Sequence, residues 1–66
     1  MPETTLLRLP RVLAMTGLSR SQLYRLVAAG RFPRPRPLAE TTSKAWSSAE
    51  VAQWIEKQLN QDAASA

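Results

Sequence analysis

The sequence predicts a small, mainly α domain with three helices and a short β hairpin, and three pairs of punctuating residues carry that prediction. Pro10 and Gly17 bracket one helical segment, Ser19 with Gln22 opens a second that Gly30 closes, and Ser47 with Glu50 opens a third beyond a proline-rich interval. Each pair has a physical reason. Proline loses nothing at the first helical position, where its missing amide hydrogen would have no partner. Glycine tolerates the left-handed backbone that commonly follows a helix end. A serine followed three residues later by Gln or Glu is a capping box, in which each side chain satisfies a free amide of the other residue.

Taken in order, residues 1–6 are expected to be a flexible N-terminus, residues 7–59 the folded domain and residues 60–66 a disordered tail. TLLRL, Thr5 to Leu9, is a candidate short strand. The first helix, about two turns from Pro10, turns Val12 and Leu13 inward, and Leu18 sits in the tight turn after it. In the second helix Leu23, Leu26 and Val27 fall at i, i+3 and i+4, one apolar stripe with Ser21 and Arg25 opposite and Tyr24 on its flank. Prolines at 33, 35 and 37 then exclude a helix and favour an extended path, with Phe32 as an anchor into the core. Leu38 to Glu40 and Lys44 to Trp46 are expected to pair as a hairpin around Thr41, Thr42 and Ser43. No Gly or Asn fixes the geometry of that turn. The third helix places Val51, Trp54, Ile55 and Leu59 on one face, and NQDAASA after it has neither anchor nor pattern.

A chain of 66 residues builds only a thin core. With neither cysteine nor histidine, it has no disulfide or imidazole to brace the fold, so no metal and no cofactor is expected. Nothing approaches the length of a membrane span, and MPETTLL is no secretory leader, so the expected setting is the cytoplasm, with no membrane partner. Catalysis is not expected either: there is no glycine-rich phosphate loop, and the acids are too scattered for a general acid–base pair.

The bases point to a partner. Net charge is +4 and the sequence pI about 10.8, but the charge is concentrated: Arg20 to Lys44 contains six bases and one acid, Glu40. Nucleic acid is the expected polyanion, because the bases lie among turn residues and prolines rather than along an amphipathic membrane-binding helix. Two helices joined by Thr16-Gly17-Leu18-Ser19 match the helix-turn-helix motif, whose second helix enters the major groove of double-stranded DNA. That geometry brings forward Arg20, Ser21, Tyr24 and Arg25. Arginine binds guanine in a bidentate way, serine is an undemanding partner, and tyrosine meets a phosphate or a thymine methyl.

Each residue also has a plainer explanation. The helix arginines can be solvated, and Tyr24 divides between partial burial and DNA contact. Arg34 and Arg36, in P-R-P-R-P, suit a backbone groove, but also a rigid connector or a ligand for a polyproline-reading domain. Trp46 and Trp54 fit core packing better than a ligand platform, and Glu50 fits a cap.

RLPRVLAMTGLSRSQLYRLVAAGRFPRP, followed by a tryptophan and SSAEVAQWI, resembles the AlpA-type phage and prophage regulators, relatives of excisionases with a MerR-like winged-helix fold. The resemblance covers about residues 7–59. It implies a winged helix-turn-helix with a wing between Pro35 and Trp46 and a third helix from Ser48 across the first two. It places Arg20, Ser21, Tyr24 and Arg25 on the recognition helix, and Arg36 and Lys44 in or beside the wing. The implied role is activation of a prophage integrase gene, or binding and bending of attachment-site DNA for excision, with integrase or RNA polymerase as protein partners. The chain departs from the family pattern in the wing, where Ala39-Glu40-Thr41-Thr42 stands in place of glycine and arginine. With no long coiled-coil helix available, a monomer in solution that binds DNA cooperatively is expected. The competing expectation is a small adaptor or inhibitor that grips an acidic protein through the same basic face.

Overall fold

A computed structural model of the chain describes residues 4–39 and 41–65, the last four of these by backbone alone. Strand β1 (Leu6–Leu7) leads into helix α1 (Leu9–Thr16), and a tight turn leads to α2 (Arg20–Ala28). Strands β2 (Arg36–Pro37) and β3 (Lys44–Ser47) follow, and helix α3 (Ser48–Ser65) closes the chain. This is the three-helix, small-sheet winged helix-turn-helix that the sequence predicts.

The helix boundaries follow from their caps. Gly17, at φ 75°, ends α1 with its amide on the Leu13 carbonyl at 2.8 Å, the single bond of an αL cap. The Thr16 hydroxyl donates to the Val12 carbonyl and accepts from the Leu18 amide, so the turn's own backbone is satisfied. Ser19 and Gln22 form both bonds of the capping box, at 3.2 and 3.0 Å. Gly30, at φ 73°, completes a two-bond Schellman closure of α2: Gly30 N–H donates to Val27 O and Arg31 N–H to Leu26 O.

The core draws one large buried side chain from each part of the chain: Val12 from α1, Leu23 from α2, Phe32 from the connection, Trp46 from β3 and Val51 from α3. Leu13, Leu18, Leu26, Val27, Trp54 and Ile55 pack around them. No polar or charged residue is among the buried ones described.

Several details differ from expectation. The hairpin forms two residues earlier than expected: Arg36 pairs with Ala45 and Pro37 with Lys44, while the Leu38 amide donates to the Ser43 carbonyl to close the loop. The polar turn carries no residue that fixes a register, and an edge position accepts Pro37 because no inward amide is needed there. Glu40 lies outside the described residues.

The sheet also has three strands, in the order β1-β3-β2, because Leu6 and Leu7 pair with Ser47 and Trp46. Thr5 is fixed too, through bonds in both directions with Ser48. Thr5 and Leu6, at the end of the segment expected to be a flexible N-terminus, thus bond to Ser48 and Ser47, and residues 1–3 lie outside the described residues. At the other end α3 runs through Ser65. Alanine and glutamine are good helix formers and no Gly or Pro interrupts them, so the backbone continues past Asn60, where a disordered tail was expected. Leu59 does not reach the core; it is 65% exposed, and every described side chain from Glu56 to Gln61 faces solvent. The packed stretch of α3 ends at Ile55.

Candidate nucleic-acid interface

Helix α2 presents its outer face on a fixed base. Leu23 is completely buried and Leu26 and Val27 are half-buried, so the opposite side of the helix is held toward solvent. At ~100° per residue, Ser21, Arg25 and Ala28 centre on that side, with Tyr24 along one border. All four are exposed, Tyr24 by 46% of its surface, so that it is partly covered by its neighbours and open along the rest.

Arg20 is exposed as well, but at ~100° per residue it stands about 140° round the helix from Arg25, on Tyr24's border and close to the apolar stripe. The four predicted residues therefore form a patch of Ser21, Tyr24 and Arg25, with Arg20 at its edge. Ala28 completes the patch and was missed. The periodicity 21, 25, 28 contained the signal, but a small apolar residue has no charge to draw attention.

The capping box occupies the Ser19 and Gln22 side chains, leaving Ser21 as the free hydroxyl of the first turn. The guanidinium groups of Arg20, Arg25 and Arg34 make no hydrogen bond or ion pair among the described residues. A guanidinium without an internal partner keeps all five of its donors for phosphate or base edges.

Arg36 is different. Its Nη2 lies 2.8 Å from Glu50 Oε2, linking β2 to the first turn of α3, with the two side chains 65% and 37% exposed. Glu50 was expected to complete a capping box with Ser47. Only half of that box forms, the Glu50 amide donating to Ser47 Oγ at 3.4 Å, because the carboxylate is turned to Arg36. No local pattern announces a partnership across 14 positions. Lys44 is exposed on β3 opposite Pro37, with no ion pair among the described residues.

The wing bases Arg36 and Lys44 are thus separated from the α2 patch by an extended arm, residues 31–35, which carries Arg34. A groove of about 520 Å³ runs between that arm and α3, lined in part by Phe32, Pro33, Trp54 and Lys57. Among the described residues no cluster of three or more His, Cys, Asp or Glu is placed to hold a metal ion. Nor is any described helix long and apolar enough to cross a membrane.

Compared with known proteins, the chain matches a family model described as prophage CP4-57 regulatory protein (AlpA) over residues 5–59. It is 41% identical over 49 residues to an uncharacterized protein, ORF88, of Enterobacteria phage P4. That match covers 74% of this chain and 54% of the relative, so the chain spans about half the length of the curated protein it matches. No solved structure matches it.

Proposed function

Since the chain belongs to the AlpA family of prophage regulatory proteins, we propose that it is a sequence-specific DNA-binding regulator of a prophage or other mobile element. It acts at an integrase promoter or at attachment-site DNA, as a regulator or an excisionase rather than as a catalyst. The observation that carries this function is the α2 patch: Ser21, Tyr24 and Arg25 exposed together on a helix that is capped at both ends and anchored by Leu23. Bidentate arginine donors, a hydroxyl and a phenol are what a major groove accepts. Arg34, Arg36 and Lys44 then meet the phosphates beside it, supplying affinity rather than sequence preference. A patch of this size reads few base pairs, which favours a monomer that gains specificity by binding repeated sites cooperatively or beside integrase or RNA polymerase.

A salt titration against duplexes from the element's own promoter and attachment regions tests this. Binding should weaken linearly in log–log form, with a slope of about −0.9 per phosphate neutralised. It should also be tighter for those duplexes than for scrambled ones of equal length. Absence of binding at low salt, together with a stable complex with purified integrase, would replace this function by that of a protein-binding adaptor.

A further inference from the structure

The arm between α2 and β2 has an unusual hydrogen-bonding problem. Two of its five residues, Pro33 and Pro35, lack an amide hydrogen, so between the closure of α2 at Arg31 and the β2 pairing at Arg36 the segment cannot build a regular ladder. Two indoles supply the missing holds. Trp54 Nε1–H, from α3, donates to the Arg31 carbonyl at 2.8 Å, and Trp46 Nε1–H, from β3, donates to the Pro33 carbonyl at 2.9 Å. Phe32 lies between those two points, 4% exposed, with its ring edge-on to Trp54 at a centroid distance of 4.9 Å. Arg31 is meanwhile tied to α2, its amide on the Leu26 carbonyl. The start of the arm is therefore bonded to the recognition helix through one peptide group and to α3 through the next.

We propose that Trp46 and Trp54 are positioning residues that fix the arm relative to α2, so that Arg34 and Arg36 meet the DNA backbone at a set distance from the groove-reading patch. This rests on the DNA-binding function proposed above. Packing alone explains a large apolar residue at each position, but not the use of both N–H groups on successive odd-numbered carbonyls of one proline-rich arm. An indole has one donor and no acceptor, so each ring spends its whole polar capacity on the arm. Phosphate contacts on and just beyond a loose arm would be averaged over many positions, whereas with the arm clamped they are ready before DNA arrives.

Trp54→Phe removes the donor and keeps an aromatic ring against Phe32. Nitrogen-15 relaxation of the free protein should show the Arg34 and Arg36 amides falling from the rigid range, order parameters of about 0.85, toward 0.6. The log–log salt slope should become shallower by about 0.9 to 1.8, one or two phosphates, with the ratio of affinities for target and scrambled duplex unchanged. Leu13→Ala, which weakens the core from α1 and removes neither indole hydrogen bond, should leave both the slope and the arm's order parameters as in the wild type. Unchanged arm order in Trp54→Phe, or an equal change of slope in Leu13→Ala, would overturn the proposal. If Trp54→Phe does not fold, solvent exchange of the two indole N–H protons in the wild-type chain decides. Slowed exchange at both supports the clamp, and exchange at the rate of an unstructured tryptophan refutes it. If the wild type binds no DNA, the proposed function fails and the arm's order parameters still decide whether the clamp exists.

Discussion

The helix-turn-helix half of this domain and its arm-and-wing half are held by different kinds of contact. From Leu9 to Gly30 nearly every structural decision is settled within four or five residues: Ser19 with Gln22, Thr16 with Val12, Gly17 with Leu13, Arg31 with Leu26. From Arg31 to Glu50 the deciding bonds join residues far apart, Trp54 to Arg31, Trp46 to Pro33 and Arg36 to Glu50. In the proposed function the first half would carry the base-reading patch and the second the phosphate-binding bases. Specificity would then rest on the locally determined part, and affinity on a part whose geometry depends on the rest of the fold.

The largest effect should come from joining the two halves' fates. Leu23 is the fully buried residue of α2 and touches the cluster that includes Phe32 and Trp46. Leu23→Ala should cost ~2–5 kcal/mol, the range for a truncated core leucine. That is comparable to the whole stability of about 3–10 kcal/mol expected of a chain this size. Thermal unfolding followed by helical circular dichroism and by tryptophan fluorescence should show both signals lost together at a much lower temperature. Separate transitions would mean that the arm and wing hold themselves, and the contrast drawn above would be wrong.

A second, intermediate effect should separate the halves by function. Arg25→Ala removes a free guanidinium from the centre of the patch and should cost ~1–3 kcal/mol on the target duplex while reducing discrimination against a scrambled one. Arg34→Ala should weaken both duplexes alike and make the log–log salt slope shallower by about 0.9. Titrating both variants on both duplexes measures the difference directly. Equal loss of discrimination in the two would move base reading onto the arm.

The same contrast explains what the sequence disclosed. Caps and the stripe of Leu23, Leu26 and Val27 are local, periodic signals, and they located α1, the turn, α2 and the start of α3. The outward face of α2 followed from the same periodicity, though charge drew attention to Arg20, which lies at the patch's edge, and away from Ala28 at its centre. The hairpin was misplaced by two residues because register there depends on how Trp46 and Ala45 enter the core, and Thr41-Thr42-Ser43 carries no turn chemistry to fix it. Strand β1 remained a weak expectation because two leucines have no period; their pairing with Trp46 and Ser47 appears only once β3 is in place. Leu59 fitted the apolar stripe of α3, but a domain this thin has no core left for it to reach.

The smallest effect tests the one wing base that already has a partner. Glu50 binds Arg36 through Oε2, while Oε1 is shielded from solvent and makes no hydrogen bond. An ion pair this exposed contributes only ~0.2–1 kcal/mol to folding. The carboxylate nevertheless competes for the guanidinium that a phosphate would use, and it places a negative charge beside an otherwise basic arm. In Glu50→Gln the side chain keeps its size, the Ser47 cap on the backbone amide is untouched, and Arg36 is released. Stability should fall by less than about 1 kcal/mol, since the loss of the pair is offset in part because a neutral amide is easier to shield than a carboxylate. DNA binding should tighten, by roughly 0.2–1 kcal/mol if Arg36 exchanges one anion for another. The salt slope should steepen, because the freed arginine neutralises a phosphate that it shared with Glu50 before. A Glu50→Gln protein that is as stable as the wild type but binds DNA more weakly would show the reverse role, in which the carboxylate aims Arg36 at its phosphate. The arm and wing would then be held at three points, by Trp46, Trp54 and Glu50, rather than by the two tryptophans and an incidental pair.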